Sequence, residues 1–146
     1  MRKGEIMKRE ILFKAKRVDN GEWVKGSLII HSGYAFITGG NQILKTPSKK
    51  YNLHTFEGLY EVDPDTVSQY TGLKDRNGKM IFEGDVVKTK SGWYGYFEEY
   101  YPEKIAEVVY ENNNFTLKCY THDYWYEQCE IVGNVFDTPE LLKESK

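Results

Sequence analysis

The sequence predicts a mainly β protein: an N-terminal antiparallel β subdomain packed on a C-terminal SH3-like β-barrel, with a short helix at the end. Three observations predict it. Short runs rich in β-branched and aromatic residues alternate with turn signals at Asn20-Gly21, His31-Ser32-Gly33, Asn77-Gly78 and Asn112-Asn113-Asn114. Aromatic residues make up 15% of the chain, with 12 tyrosines leading them, which suits pleated, half-buried surfaces. The one helix start is Thr138-Pro139-Glu140-Leu141, with Thr138 as cap and Pro139 in the first position.

Met1–Ile6 is short and polar and adds nothing to this pattern, so Met7 is a candidate start. Ile11–Lys16 reads as a strand and Trp23–Ile30 as its return. With Asn20-Gly21 as a two-residue turn, Phe13 falls opposite Leu28, Ile11 opposite Ile30 and Val18 opposite Trp23. Tyr34–Thr38 is a third strand, Gly39–Lys50 a loop containing Pro47, and Phe56–Val62 a fourth strand. Asp63 caps a short helical turn begun by Pro64.

The densest local signal follows, from Tyr70 to Lys88. With Asn77-Gly78 as pivot, Leu73 falls opposite Phe82 and Asp75 opposite Met80, so apolar meets apolar. Glu83-Gly84-Asp85 breaks the run and Val86-Val87 opens a new strand. Ile105–Tyr110 and Phe115–Tyr120 are strands joined by the three asparagines, which tolerate left-handed backbone. Tyr124–Val132 and Val135-Phe136 complete the β pattern. A closed or nearly closed barrel removes the exposed edges that so many strands create. The expected divisions are an N-terminal subdomain over 8–66, the barrel over 67–137 and a helix or tail over 138–146, all within one domain.

Composition narrows the function. At 146 residues the chain is long enough for one full core. No apolar run approaches the roughly 20 residues of a membrane span, and the charged N-terminus is not followed by the apolar region of a signal peptide. Two cysteines are too few for a secreted disulfide scaffold. A cytoplasmic protein is expected. The net charge of −2 gives no general attraction to nucleic acid. Its distribution is uneven: residues 1–90 carry 16 Lys/Arg and 11 Asp/Glu, residues 91–146 carry 4 and 11. Such asymmetry suits head-to-tail self-association or a basic patch in the first half, and equally two solvated surfaces that differ.

Candidate chemistry is sparse. Cys119, His122, Asp123 and Cys129 are zinc-ligand types, but not at a paired-knuckle spacing, and Cys119 continues the strand face of Phe115 and Leu117. A core thiol is the expected role. Asp63, Asp65, Asp75, Glu83 and Asp85 supply the carboxylates that a metal-dependent nuclease needs, yet Asp63, Asp75 and Asp85 each have a turn or cap to hold. His31 and His54 are isolated. Gly39-Gly40 lacks the Lys-Ser/Thr and helix of a phosphate loop. No catalytic residue, metal or cofactor is therefore assigned.

The leading candidate surface is the aromatic segment Trp93, Tyr94, Tyr96, Phe97, Tyr100 and Tyr101. Rings on a loop can stack on nucleobases, anchor a protein interface, or cover one end of the core. Flanking Glu98, Glu99 and Glu103 repel a phosphate backbone and turn the choice toward a protein.

The ordered blocks resemble the YopX family, small proteins encoded by bacteriophages and prophages. They are Arg9–Lys16, Asn20–Leu28, Asp65–Leu73, the run through Asn77-Gly78 to Phe82–Lys88, and Cys129–Leu142. The resemblance implies a mostly β, phage-derived protein of the host bacterial cytoplasm that forms homo-oligomers. It transfers no catalytic residue. The expected function is a non-enzymatic binding or assembly module, with a phage or host protein or its own copies as partner. A nucleic-acid-binding accessory protein is the second reading, and a metal-dependent enzyme the third.

Overall fold

The computed structural model describes residues 9–39, 44–48, 53–56, 58–94, 99–118 and 125–143. The chain divides into two compact units, residues 1–69 and residues 70–146. Antiparallel pairing predominates in both, and one short helix is present among the described residues.

In the first unit, β1 (Phe13–Lys16), β2 (Trp23–His31), β3 (Tyr34–Thr38) and β6 (Leu59–Val62) lie in the order β6-β3-β2-β1. β4 (Leu44–Ser48) and β5 (Leu53–Phe56) form a separate hairpin. Period-two alternation builds the core from one face of the sheet. Ala15, Ala35, Ile37 and Val62 are fully buried, with Phe13, Val24, Leu28 and Val67 packed against them. The β2–β3 turn has Ser32 and Gly33 both at positive φ (50° and 81°), as a two-residue hairpin requires. Asp63 caps the 3-10 turn Pro64–Thr66, its carboxylate accepting from Asp65 N at 3.0 Å.

Two expectations change here. Phe13 pairs with Gly26 and Lys16 with Trp23, so β2 sits two residues away from the register expected of a two-residue Asn20-Gly21 turn. The loop has four residues, closed by Arg17 N donating to Glu22 O at 2.9 Å. Only Gly21 has positive φ (73°); Asn20 instead accepts Glu22 N on its Oδ1 at 2.9 Å. A shift of two keeps every side chain on its expected face. Second, the segment read as a loop over 39–50 contains β4, and the strand expected from Phe56 begins at Leu59.

β7 (Ser68–Lys74) crosses the boundary: Ser68 and Gln69 pair with Lys14 and Phe13, and from Tyr70 onward it pairs with β8 (Met80–Phe82). In the second unit β9 (Asp85–Thr89), β12 (Ile105–Glu111), β13 (Asn114–Leu117) and β14 (Cys129–Asn134) form a sheet of order β13-β12-β9-β14. β10 (Gly92–Tyr94) and β11 (Glu99–Tyr101) form a hairpin between β9 and β12. The core is Ile81, Val87, Ala106, Val108, Leu117 and Cys129, joined by Leu73, Tyr101, Tyr126 and Ile131. No closed barrel is found among the described residues; the four-stranded sheet is open.

The Asn77-Gly78 hairpin also departs from its expected register. Met80 faces Lys74 rather than Asp75, and Phe82 faces Tyr70 rather than Leu73. Its loop has three residues, Arg76–Gly78, with Gly78 N donating to Asp75 O at 3.0 Å and Gly78 alone in the left-handed region (φ 80°). Gly72 (φ 84°) lies in the irregular stretch between the two paired positions, where Thr71 Oγ1 donates to Ile81 O at 2.8 Å and accepts Leu73 N at 3.1 Å. Tyr70 and Phe82 thereby bring their rings to 5.6 Å.

The asparagine turn behaves as expected, with Asn112 and Asn113 at φ 53° and 63° and Glu111 paired with Asn114. The expected strand from Tyr124 does not run through: residues Trp125–Gln128 form a 3-10 turn, and β14 starts at Cys129. Val135-Phe136 lies in a turn, not a strand, because Asn134 Oδ1 accepts the backbone N–H groups of Phe136 and Asp137 at 3.0 and 2.9 Å. The helix α1 (Glu140–Lys143) follows. The Thr138 hydroxyl is not its cap: it accepts Asn134 N at 3.0 Å and donates to Asn134 O at 3.1 Å, while Thr138 O takes Leu141 N at 3.2 Å.

Candidate functional site: the aromatic hairpin

The β10–β11 hairpin is held at its base by β9 and the chain leading into β12. Thr89, buried, receives Lys104 N on its hydroxyl at 2.9 Å and donates its own N–H to Lys104 O at 2.7 Å. Lys88 and Glu103 add an exposed ion pair at 3.1 Å, worth at most about 1 kcal/mol. The register places Gly92 opposite Tyr101, Trp93 opposite Tyr100 and Tyr94 opposite Glu99.

Strand alternation then divides the rings. Tyr101 packs on the core of its unit. Its neighbour Tyr100 points the other way and is 55% exposed, and Trp93 is 69% exposed. Their ring centroids lie 5.4 Å apart at 60°, an edge-to-face pair, of a kind worth roughly 0.5–1.5 kcal/mol beyond the area it buries. The six aromatic positions singled out from the sequence thus do not act as one surface. Trp93 and Tyr100 form an outward pair and Tyr101 is a structural anchor. Tyr94 takes its place in the β10 ladder, and Tyr96 and Phe97 lie outside the described residues.

The other candidates resolve into structural roles or fall outside the described residues. Cys119, His122 and Asp123 are outside them. Cys129 is buried, its thiol donating to Tyr126 O at 3.4 Å. Burial first, and then the nearby Asp75 carboxylate, push that thiol up to about 12, so it carries no thiolate near neutral pH. Among the described residues no three His, Cys, Asp or Glu side chains are grouped to hold a metal.

Of the carboxylates, Asp85 accepts Phe82 N at 2.8 Å across the Glu83-Gly84 turn. Asp75 does more than flank its turn. Its Oδ1 accepts Asn77 N and Lys79 N, both at 2.9 Å, and its Oδ2 accepts Ile131 N at 3.0 Å. Burial pushes its pKa up, but the N–H groups of Ile131, Lys79 and Asn77 together outweigh that and hold it below the usual value. The bond to β14 is invisible from the sequence, because 56 residues separate the partners.

A second set of residues went unrecognised in the sequence. Lys14, Lys16, Trp23 and Lys25 share one face of β1–β2, with Lys14 opposite Lys25 and Lys16 opposite Trp23. The signal was present in the alternations Lys-Ala-Lys and Trp-Val-Lys.

The described residues thus form an antiparallel β protein of two units that presents the Trp93–Tyr100 ring pair on an anchored hairpin. Residues 12–143 match the YopX family, described as "YopX protein", and the chain belongs to that family. A similar solved structure is the crystal structure of protein EF1440 from Enterococcus faecalis, with a TM-score of 0.57 and 20% identity over 92% of this chain and 99% of that one. At that identity the likeness is one of fold. A search of curated proteins gives no match.

Proposed function

We propose that this chain is a non-enzymatic assembly protein of phage or prophage origin, acting in the bacterial cytoplasm, and that the Trp93–Tyr100 pair docks on a second copy of the chain. One observation carries the reading: two large rings stand exposed on a hairpin whose base is clamped by Thr89 and Lys104 and whose next residue, Tyr101, is fixed in the core. Trp and Tyr are the residues most enriched at the energetic centres of protein interfaces. A pre-positioned pair loses little conformational freedom on docking.

Charge supports self-association. Residues 1–69 carry 11 Lys/Arg against 8 Asp/Glu, while residues 70–146 carry 9 against 14. Copies arranged head to tail bring opposite signs together. The family assignment supports the phage origin. The sheet β13-β12-β9-β14, with the hairpin inserted between β9 and β12, supports an SH3-like reading of the second unit. The buried Cys129 thiol and the hydrogen-bonded carboxylates of Asp63, Asp75 and Asp85 support a non-enzymatic role.

The test is solution mass by light scattering, at low and high salt, for the wild type and for Trp93→Ala with Tyr100→Ala. The expected result is a wild-type oligomer that falls to a smaller species in the double variant, with the circular dichroism spectrum retained. A monomeric wild type, or a folded variant of unchanged mass, overturns the assignment.

A further inference from the structure

We infer that Asn77 is a site of spontaneous covalent modification, losing ammonia to become aspartate or isoaspartate in preference to Asn20. An asparagine followed by glycine is open to this reaction because no Cβ shields the next backbone nitrogen. The Gly78 nitrogen forms a bond to Cγ of Asn77, the Cγ–Nδ2 bond breaks, and the amide nitrogen leaves as ammonia with the Gly78 amide proton. Water then opens the cyclic imide at one carbonyl or the other, giving aspartate or isoaspartate.

The chain carries two such dipeptides, and their backbones are alike. Asn20-Gly21 and Asn77-Gly78 both lie exposed in hairpin loops. Gly21 and Gly78 have φ 73° and 80°. Each glycine N–H is held, Gly21 N donating to Arg17 O at 2.9 Å and Gly78 N to Asp75 O at 3.0 Å. Freeing that nitrogen costs both sites alike, so the asparagine side chains decide. The Asn20 amide is held at both ends: its Oδ1 accepts Glu22 N at 2.9 Å and its Nδ2 donates to Glu22 Oε2 at 3.2 Å. Both bonds must part before Cγ can swing onto the Gly21 nitrogen. The Asn77 amide has one contact, from Nδ2 to Glu130 Oε1 at 3.5 Å, at the outer edge of hydrogen-bond range. Glu130 is itself engaged by Arg76 at 2.6 Å. The anchor of this loop, Asp75 Oδ1 on Asn77 N, lies on the far side of Cα from the Gly78 nitrogen and leaves the side chain free to turn. One further hydrogen bond of ordinary net strength must break at Asn20, which slows it by a factor of about five.

The product bears on the tie between this loop and β14. A carboxylate at position 77 replaces an amide donor that faces Glu130, setting like charges together. Isoaspartate also adds a methylene to the backbone of a three-residue loop that Asp75 spans with its bonds to Asn77 N and Lys79 N. The modified chain is therefore the less stable one.

The test ages the full chain at mildly alkaline pH and follows both sites by peptide mass spectrometry. In the folded chain Asn77 is expected to convert about five times faster than Asn20. In concentrated urea, where the bonds to Glu22 and Glu130 are gone, the two rates are expected to converge. The aged wild type is expected to unfold at lower urea than the fresh protein. Asn77→Gln, whose longer side chain does not close the five-membered ring readily, is expected to keep its midpoint over the same period. Asn20 converting as fast as Asn77 in the folded chain overturns the inference. So does a folded chain in which neither converts, a preference for Asn77 that persists in urea, or an Asn77→Gln chain whose midpoint falls as far as the wild type's.

Discussion

Replacing Asp75 by Asn tests whether one buried carboxylate ties the hairpin loop at Asn77-Gly78 to β14. Asp75 is 5% exposed and accepts three backbone N–H groups, from Asn77, Lys79 and Ile131. The amide can keep its oxygen on the Asn77 and Lys79 donors, but its NH₂ then faces Ile131 N, donor against donor. One charge-assisted bond is lost, worth about 1.5–3 kcal/mol, and one half-buried N–H is left without its acceptor at a cost of about 1 kcal/mol or more. A destabilisation of about 2–4 kcal/mol at pH 7 follows, measured by urea unfolding followed by circular dichroism. The effect depends on pH. The folded pKa of Asp75 lies below its unfolded value of about 3.9, so between the two the unfolded chain binds more protons and stability rises with pH. Its contribution is complete above the unfolded value and is lost as pH falls through the folded one. Below that point the protonated wild-type carboxyl also presents a donor to Ile131, and the gap between wild type and Asp75→Asn closes. A difference under about 0.5 kcal/mol at pH 7, within the range of an ordinary surface substitution, or one that persists undiminished at low pH, would refute the reasoning.

Two further substitutions probe packing and charge. Gly26→Ala places a Cβ 1.7 Å from the carbonyl oxygen of Thr38, a backbone atom that cannot swing aside. Loss of more than about 3 kcal/mol is expected, typical of forced overpacking at its upper end, read as a collapse of the thermal midpoint; a midpoint within a few degrees of wild type refutes it. Glu83 is shifted the opposite way from Asp75, because burial first and the Glu107 carboxylate second raise its pKa. The folded chain then holds the proton more tightly than the unfolded one, and stability falls as pH rises from the unfolded value through the folded one. Glu83→Gln is expected to raise the thermal midpoint at pH 7 and to leave it unchanged below pH 4, in scans at both values.

Turns whose chemistry is complete in two residues were legible. Ser32-Gly33 and Asn112-Asn113 both take positive φ at each position, and the strands they join begin beside them. The two Asn-Gly dipeptides were misleading because a side chain nearby competes for the turn's donors. Asn20 takes Glu22 N, and Asp75 takes Asn77 N and Lys79 N, and each lengthens the loop beyond two residues. The consequences differ by parity. A shift of two at Asn20-Gly21 leaves Phe13, Ala15, Val24 and Leu28 on the core face, so the core of the first unit was readable even though its register was not. A shift of one at Asn77-Gly78 exchanges faces, and the irregular stretch around Gly72 restores an apolar pairing by bringing Tyr70, not Leu73, opposite Phe82.

The same parity argument governs the aromatic hairpin and the β1–β2 face. Composition showed that the segment from Trp93 to Tyr101 is aromatic, but not that it is paired. Once Trp93 is set opposite Tyr100, Tyr101 must turn inward, and a run of rings becomes an anchor and a displayed pair. On β1–β2 the lysines looked scattered in sequence, nine or more residues apart across the turn, and register alone gathers them around Trp23. In neither place does any single residue carry a chemical signature. What the hairpin can bind is set by which neighbours the ladder places beside it, so changes that move its register should alter binding without touching a binding residue. An insertion of one residue after Gly21 that slipped β2 by one would send Trp23 and Lys25 to the core face, and loss of folding is its expected outcome.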